Sequence, residues 1–229
     1  MRIDKFICKS TELTRTEAKK VLKSGDVRVN GEVVKNAATQ VHENNTIDID
    51  GKILTARTSR YIMVHKPLDT ICSNIDEAYP SILNYVEVDK AFDLHIAGRL
   101  DADTTGLVLV TDDGRWSHNI ISPNKECTKT YRVWLRNPIE ESAIKRFKEG
   151  VQLQGETGLT KPGILDIIEN QEVLLTITEG KYHQVKRMFA AIGNKVVGLH
   201  RESIGCVELD DLPLGEWRYL SEHEVIFFK

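Results

Sequence analysis

Cysteine is scarce in this chain of 229 residues, and its placement excludes several kinds of site. The four cysteines, Cys8, Cys72, Cys127 and Cys206, lie far apart and form no Cys-x-x-Cys pair. A structural zinc site or a disulfide framework needs closer or patterned spacing. We therefore expect four reduced thiols with structural roles and no metal centre built from them.

The sequence also lacks a long apolar run. No stretch approaches the roughly 18 consecutive apolar residues of a membrane span. The start, Met1-Arg2-Ile3-Asp4-Lys5, does not have the apolar run of a signal peptide. These absences predict a soluble, cytoplasmic protein.

Net charge is small, −3, but it is unevenly distributed. Residues 1–60 contain 12 basic and 8 acidic side chains, and residues 179–201 contain five basic side chains against Glu179 alone. Local patches decide whether a polyanion binds, whereas the total charge bears more on solubility. The distribution is therefore compatible with a nucleic-acid partner.

The first residues indicate two helices followed by a hairpin. Ile3, Phe6 and Ile7 follow helical spacing, and Thr14-Arg15-Thr16-Glu17 fits a capping box that starts a second helix. Gly25 suits the position just past that helix. Asn30-Gly31, between alternating residues, is a strong hairpin signal.

The predicted second helix carries a stripe of positive charge. Arg15, Lys19 and Lys23 recur every four residues, with Lys20 beside them and Arg28 in the hairpin. A solvated outer face is the ordinary interpretation of such charges. A stripe of one sign repels itself, however, and it suits a phosphate backbone, where each neutralised phosphate releases a counterion.

The whole pattern over about residues 1–50 resembles an S4 RNA-binding module. The resemblance rests on Arg2-Ile3-Asp4-Lys5-Phe6-Ile7, on Thr14-Arg15-Thr16-Glu17-Ala18-Lys19 and on Gly25-Asp26-Val27-Arg28-Val29-Asn30-Gly31. It implies that the second helix and the hairpin dock onto folded RNA. The residues then expected to contact RNA are Arg2, Lys5, Arg15, Lys19, Lys20, Lys23, Arg28 and Asn30.

A linker over residues 51–60 and a second domain over residues 61–229 are expected to follow. Apolar runs predict strands at 61–64, 107–111, 130–135, 164–168, 173–178 and 196–199. Helices are predicted at 116–121, 140–148 and 182–192. Strands with interspersed helices and hairpin-like connections favour an α+β domain with a mainly antiparallel sheet.

A polar loop that leads into an apolar strand is the segment most suited to chemistry. Gly98 and Gly106 bracket the loop, and the strand that follows is continuously apolar, which predicts burial on both faces. A rigid strand next to a polar loop is a good platform for a reactive group. An Asx turn, in which Asp101 or Asp103 bonds its own backbone, is the ordinary alternative.

Three blocks of this domain resemble the motifs of pseudouridine synthases. They are Gly98-Arg99-Leu100-Asp101 with Asp103-Thr104-Thr105-Gly106-Leu107, then Lys129-Thr130-Tyr131, then Glu179-Gly180-Lys181-Tyr182-His183-Gln184-Val185-Lys186-Arg187-Met188. Tyr182-His183-Gln184 is similar to the type that modifies small-subunit RNA. The resemblance implies an isomerase that needs no cofactor. It would convert a uridine to pseudouridine in 16S ribosomal RNA or a small-subunit assembly intermediate. The sequence does not give the oligomeric state, and a monomer is the default expectation.

Carried over by position, the resemblance assigns three catalytic residues. Asp101 matches the catalytic aspartate, Tyr131 the aromatic residue that stacks on the target base, and Lys186 the cation that pairs with the aspartate. Many relatives have arginine in place of this lysine, and arginine binds a carboxylate bidentately whereas lysine is a point charge. Arg187 is therefore kept as an alternative partner, and RNA contact is expected for Arg99 and Arg187. Holding the loop in place is an equal alternative for Arg99.

The implied reaction explains these residue types. It breaks the bond between ribose C1′ and uracil N1 and rejoins the base through C5, so nothing is oxidised and no group is imported. An ionised carboxylate is needed near C1′, as nucleophile or as base, and the sequence leaves both routes open. Burial alone would favour the neutral carboxyl group, and a nearby cation opposes that effect.

The predicted helix over residues 182–192 has one apolar face. The residues on it, which we expect to be buried, are Val185, Met188, Phe189 and Ile192. Lys186 and Arg187 fall off this face. We expect structural roles for His183 and His200, and for Lys66 a loop position near the site.

Two other functions stay open at this point. Asp101-Ala102-Asp103-Thr104-Thr105 fits the D-x-D-x-T pattern of Mg²⁺-dependent aspartate-nucleophile phosphatases, although residues 95–99 are a poor version of the buried strand that precedes it there. A non-catalytic RNA-binding or ribosome-assembly protein would need only the S4-like module. In that case Asp101→Asn would leave function intact.

Overall fold

The computed structural model describes residues 1–42 and 44–229. It contains two compact units, Met1–Thr58 and Ser59–Lys229. Among the described residues, no helix is both long enough and apolar enough to cross a membrane.

The first unit places two helices beside a small antiparallel sheet. The helices are α1 (Ile3–Ser10) and α2 (Arg15–Ser24), and the strands are β1 (Val27–Val29), β2 (Glu32–Val33), β3 (Ile47–Ile49) and β4 (Lys52–Ile53). The strands lie in the order β2-β1-β3-β4. One apolar core joins helices and sheet, and its buried residues are Ile3, Ile7, Ala18, Leu22, Val27, Val41 and Ile47.

Local signals in the first unit act as predicted. Thr14 and Glu17 form the capping box at the start of α2, and Gly25 ends the helix with a φ of 93°. Asn30 and Gly31 both have positive φ, at 52° and 86°. Turns of this kind match the right-handed twist of two antiparallel strands, and β1 and β2 pair on either side.

The segment predicted as a linker begins with regular structure. Strand β4 pairs antiparallel with β3, and the turn between them consists of Asp50 and Gly51, both with positive φ. Asp48 Oδ1 accepts a hydrogen bond of 3.0 Å from the backbone N–H of Gly51. Asp-Gly is a hairpin signal in its own right, and the short, half-exposed strands beside it explain why periodicity did not reveal them.

The second unit is an α+β domain, as predicted. Its strands are β5 (Tyr61–Lys66), β6 (His95–Ala97), β7 (Thr105–Thr111), β8 (Lys129–Leu135), β9 (Ile164–Glu169), β10 (Glu172–Ile177), β11 (Val196–Ile204), β12 (Val207–Glu208) and β13 (Trp217–Tyr219). Its helices are α3 (Gly114–Ile121), α4 (Ser142–Glu149), α5 (Gln184–Ala191) and α6 (Glu222–Phe227). Short 3₁₀ turns lie at Ile82–Tyr85, Ala91–Asp93 and Pro123–Lys125.

The nine strands form one mainly antiparallel sheet, which confirms the predicted fold class. The order is β13-β5-β7-β11-β8-β10-β9, with β12 on β11 and β6 on β7. The pairing of β7 with β11 is parallel. Side chains of β7 alternate between two buried clusters, Val108 and Val110 in one and Leu107 and Leu109 in the other. This central strand is therefore buried on both faces, as its apolar run predicted.

The sequence patterns do not predict β6, β12, β13 and α6. The three strands have two or three residues each and no apolar run. Helix α6 begins at a capping box formed by Ser221 and Glu224, a local signal that was available. Helix α5 begins two residues later than predicted, because His183 adopts the left-handed conformation, with φ at 47°.

Gly106 allows β7 and β11 to approach each other closely. Its φ is +118°, and a β-carbon at this position would lie 2.3 Å from the backbone oxygen of Arg201. No side chain fits such a gap, and the positive φ strains any residue other than glycine. The parallel contact of the two strands therefore depends on this glycine.

We expect Gly106→Ala to lower the free energy of unfolding of the second unit by at least about 2 kcal/mol, since a strained backbone alone costs about 1–3 kcal/mol. All three tryptophans, Trp116, Trp134 and Trp217, lie in this unit, so tryptophan fluorescence during urea unfolding reports on it. Gly158→Ala is the matched control, because nothing lies within 4 Å of its added carbon. Equal urea midpoints for the two variants would contradict the argument.

Candidate active site

A cavity of about 470 Å³ opens in the second unit. The loop between β6 and β7 lines it together with part of β8 and the segment that leads into α5. Sites for small molecules commonly have volumes of about 300–1,000 Å³. The cavity thus brings together all three blocks that resemble pseudouridine synthase motifs.

Asp101 lies on the cavity wall and is paired with a cation. Lys186 Nζ donates a hydrogen bond of 3.0 Å to Asp101 Oδ2 and one of 2.6 Å to Asp103 Oδ1. His183 Nε2 lies 3.3 Å from Asp101 Oδ1. The side chain of Asp101 remains 36% exposed, so a molecule in the cavity can reach its carboxylate.

The ion pairs of Lys186 favour the charged forms of the groups that make them. Burial alone would lower the pKa of Lys186, but its hydrogen bonds to Asp103 and Asp101 outweigh burial and raise that pKa. The hydrogen bond from Lys186 in turn lowers the pKa of Asp103. Lys186 and Asp103 are therefore both charged at neutral pH, and Lys186 places a positive charge directly beside Asp101.

Arg201 is 1% exposed and holds the loop between β6 and β7, and the strand that follows it, through hydrogen bonds. Its Nη2 donates to the carbonyl oxygen of Gly98 at 2.7 Å, and its Nε donates to that of Leu107 at 2.8 Å. Its Nη1 donates to the hydroxyl of Tyr131 at 3.3 Å. One guanidinium group therefore joins the loop, the strand that follows it and the buried tyrosine.

Lys66 fixes the middle of the same loop. It ends β5 and is fully buried, which corrects the expectation of a loop residue. Its Nζ donates to the carbonyl oxygens of Pro67 at 3.0 Å, Thr104 at 2.9 Å and Ala102 at 3.5 Å. Burial lowers the pKa of this lysine, and the carbonyl dipoles compensate for part of the lost hydration. A Lys-Pro pair read locally suggests a loop, whereas two of the three hydrogen bonds of Lys66 reach residues 36 and 38 positions away in the chain.

Tyr131 projects from β8 and is only 8% exposed. Its ring centroid lies 5.8 Å from Arg201 Cζ, and its hydroxyl accepts the Arg201 hydrogen bond. The ring lines the cavity together with Asp101. An aromatic ring held in this way offers a fixed surface for a planar base.

A buried hydrogen-bond network holds the segment before α5. Gln184 Nε2 donates to Glu179 Oε1 at 2.7 Å, and Gln184 Oε1 accepts from the backbone N–H of Lys181 at 2.8 Å. Glu179 Oε1 also accepts from the backbone N–H of Lys161 at 2.9 Å. These two residues of the third motif thus shape the segment from which Lys186 reaches Asp101.

The other predicted residues of this unit have varied surroundings. Arg99 is exposed on the cavity wall. Arg187, the alternative partner for Asp101, instead bonds Glu156 and the carbonyl oxygens of Gln154 and Tyr182. His183 was expected to be structural, yet it lies at the site.

Helix α5 buries most of the apolar face that its spacing predicted, with Val185, Met188 and Phe189 at 5% exposure or less. Ile192, also predicted to be buried, lies just past the end of the helix and is half-buried. His200 lies on β11 and its Nδ1 is 2.7 Å from Thr105 Oγ1. Arg201 was not singled out in the sequence. It belongs to the basic stretch of residues 179–201, which was the available signal.

In the first unit, most of the predicted RNA-contacting side chains are exposed. These are Arg2, Arg15, Lys19, Lys20, Lys23, Arg28 and Asn30, whereas Lys5 is half-buried. Arg2 and Arg15 also pair with the buried Asp4, at 2.8 and 3.5 Å. Asn30 Oδ1 accepts a hydrogen bond of 2.9 Å from the backbone N–H of Thr46, so this side chain stabilises the turn.

Across residues 1–42 and 44–229, no group of three or more His, Cys, Asp or Glu side chains is placed to hold a metal ion. The four cysteines are free thiols. The site consists of a carboxylate, cations and an aromatic ring.

Comparison with known proteins agrees with this geometry. Residues 60–191 match the model of the family described as RNA pseudouridylate synthase, and residues 1–47 match the S4 domain. The ribosomal small subunit pseudouridine synthase A of Vibrio cholerae is 52% identical over 226 residues, which cover 98% of each chain. The proteins of the same name from Pasteurella multocida and Escherichia coli are 51% and 48% identical, over 100% and 98% of this chain and 99% and 98% of theirs.

A solved structure agrees as well. The chain superimposes on a crystal structure of a pseudouridylate synthase with a TM-score of 0.73 and 48% identity, and the match covers 100% of both chains. With its motifs gathered around one cavity, and with relatives of this similarity along its whole length, the chain belongs to the RNA pseudouridylate synthase family.

Proposed function

We propose that this chain isomerises a specific uridine of 16S ribosomal RNA, or of a small-subunit assembly intermediate, and that Asp101 is the catalytic carboxylate. The observation that carries the proposal is the Asp101–Lys186 ion pair of 3.0 Å on the wall of an open cavity. The names of the relatives at 48–52% identity supply the RNA class. Family membership makes the chain an enzyme and argues against a phosphatase and against a non-catalytic assembly protein.

The geometry supports a chemical role for each group. Asp101 is the anion that approaches the ribose, either at C1′ as nucleophile or at a neighbouring position as base. Lys186 places a positive charge beside this carboxylate and orients it through their hydrogen bond. Tyr131 stacks on the uracil while its glycosidic bond is broken, and stacking on an aromatic side chain contributes about 1–3 kcal/mol per base.

The uridine has to leave its base stack to reach Asp101. Enzymes that act on a nucleobase inside a folded nucleic acid move it out of the stack into a pocket. After the base has turned, C1′ bonds to C5 and the hydrogen at C5 leaves as a proton, while N1, which has lost its bond to C1′, takes up a proton from solvent. Loss of that hydrogen is a direct readout of the reaction.

We assign RNA docking to the first unit, through its exposed basic side chains on α2 and the hairpin, with Arg99 beside the cavity. The domain boundaries at residues 1–50, 51–60 and 61–229 stay a prediction, as does the RNA contact of Arg187. A single copy carries Asp101, Tyr131 and Lys186, so a monomer suffices for the proposed reaction. The proposed site of action is the cytoplasm, where small-subunit RNA is assembled.

We expect Asp101→Asn to abolish tritium release from small-subunit RNA labelled at uridine C5, because the amide cannot supply the anion. Asp103→Asn leaves Asp101 and Lys186 in place and is expected to remain active at a reduced rate. Tryptophan fluorescence checks that both variants fold. Tritium release by Asp101→Asn at the wild-type rate would contradict the proposal. So would the absence of tritium release by the wild-type protein on every ribosomal RNA tested.

Replacing Lys186 tests the ion pair. We expect Lys186→Met to lower kcat about 10- to 150-fold, since hydrogen bonds to charged groups contribute about 1.5–3 kcal/mol. Lys186→Arg should retain most activity, because a guanidinium group can bond both Asp101 and Asp103. Single-turnover rates at saturating RNA measure the effect. Equal rates for the methionine and arginine variants would show that the charge at this position is irrelevant.

The basic stripe on α2 makes a prediction about affinity. Replacing Lys19, Lys20 and Lys23 by glutamine should weaken RNA binding and flatten its dependence on salt by about 0.7–0.9 in log–log slope for each lost phosphate contact. The rate at saturating RNA should not change. Lys145→Gln with Lys148→Gln on α4 is the matched control. An unchanged salt slope in the triple variant would remove α2 from the interface.

A further inference from the structure

An aromatic side chain stands exposed at the cavity without a role in the chemistry above. Tyr182 is 74% exposed, the highest value among the exposed large hydrophobic side chains of the described residues. It lines the same cavity as Asp101. Burying an aromatic ring is normally favourable, so an exposed ring beside an active site points to a binding partner.

Tyr182 forms the outer part of a stack that starts at the catalytic carboxylate. Its ring lies against that of His183, with centroids 3.8 Å apart and planes inclined by 22°. His183 Nε2 lies 3.3 Å from Asp101 Oδ1. One face of the tyrosine ring is therefore covered by His183, and the high exposure of Tyr182 leaves the opposite face open to solvent.

The backbone that carries the stacked rings is held by hydrogen bonds and ion pairs. Arg187 Nη1 donates to the carbonyl oxygen of Tyr182 at 3.0 Å and also to Glu156 at 3.3 Å. Lys181 Nζ lies 3.2 Å from the other oxygen of Glu156. His183 adopts the left-handed conformation, with φ at 47° and ψ at 36°. Backbone conformations of this kind persist where their surroundings enforce them, often at ligand sites.

We propose that Tyr182 is a positioning residue on which a nucleobase next to the target uridine stacks. This inference rests on the proposed function, since it requires an RNA strand with one uridine in the cavity. When that uridine leaves its stack, a neighbouring base loses a stacking partner, and the open face of Tyr182 replaces it. Aromatic side chains stack on any base, so the site selects an unstacked neighbour and not a particular sequence.

A kinetic experiment tests the proposal. Stacking of a neighbour is present in the ground state and the transition state alike, so its loss raises KM and leaves kcat unchanged. We expect Tyr182→Ala to raise KM about 5- to 150-fold, the factor that corresponds to about 1–3 kcal/mol of stacking. Tyr182→Phe and Tyr182→Trp should restore the wild-type KM. Tyr219→Ala, which removes a tyrosine 51% exposed on β13, is the matched control.

The RNA provides the second arm. An abasic nucleotide on one side of the target should raise KM for the wild-type protein by a similar factor, and it should add little for Tyr182→Ala. The stacking role would be overturned if neither Tyr182→Ala nor an abasic neighbour raised KM. It would also be overturned if, at both neighbouring positions, the abasic nucleotide raised KM for Tyr182→Ala as much as for the wild-type protein.

A binding measurement separates this inference from the proposed function. 2-Aminopurine next to the only uridine of a short single-stranded RNA should be quenched by the wild-type protein and not by Tyr182→Ala. An inactive wild-type protein would refute the proposed function, whereas equal quenching by both proteins would refute the stacking role.

Discussion

The contact between Asp101 and Lys186 is the interaction around which the second unit is organised. The two residues come from distant parts of the chain, a loop before β7 and the first turn of α5, and meet at 3.0 Å. Contacts elsewhere in the unit place each of the two side chains. Because Gly106 lets β7 approach β11, Arg201 on β11 reaches the loop that carries Asp101. Because the hydrogen bond between Gln184 and Glu179 holds the segment before α5 in place, Lys186 reaches that loop.

The loop itself is fixed by cations that bond its backbone. Lys66 and Arg201 are both buried, and they donate to the carbonyl oxygens of Gly98, Ala102 and Thr104. A buried cation without hydrogen bonds would be strongly unfavourable, and a buried cation that bonds carbonyl groups orders the backbone around it. Asp101 therefore faces the cavity from a prearranged loop. Prearrangement of charge is a main source of catalysis, since no reorganisation is needed during the reaction.

How much of this follows from the sequence depends on the distance between the residues involved. The capping box of Thr14 and Glu17 and the Asn30-Gly31 turn are local, and they form as predicted. Membership of the family follows from contiguous motifs. The support of the loop by Lys66 and Arg201 links residues 36 and 103 positions apart in the chain, and no local pattern reveals such contacts. The position of His183 depends on a left-handed residue, which helical periodicity does not predict.

The charge around the cavity resolves an apparent conflict in the composition. A chain with net charge −3 binds a polyanion, and its proposed catalytic group is itself an anion. The side chains that line the cavity include five basic residues, Arg99, Lys129, Lys181, Lys186 and Arg201, against the two acidic residues Glu77 and Asp101. Asp103 and Glu156 lie next to this lining and pair with Lys186 and Lys181, but cations still outnumber anions around the cavity. They lower the repulsion between a phosphate backbone and the carboxylate. Since acidic groups elsewhere on the chain are screened within about 8–10 Å at physiological salt, the total charge has little influence at this site.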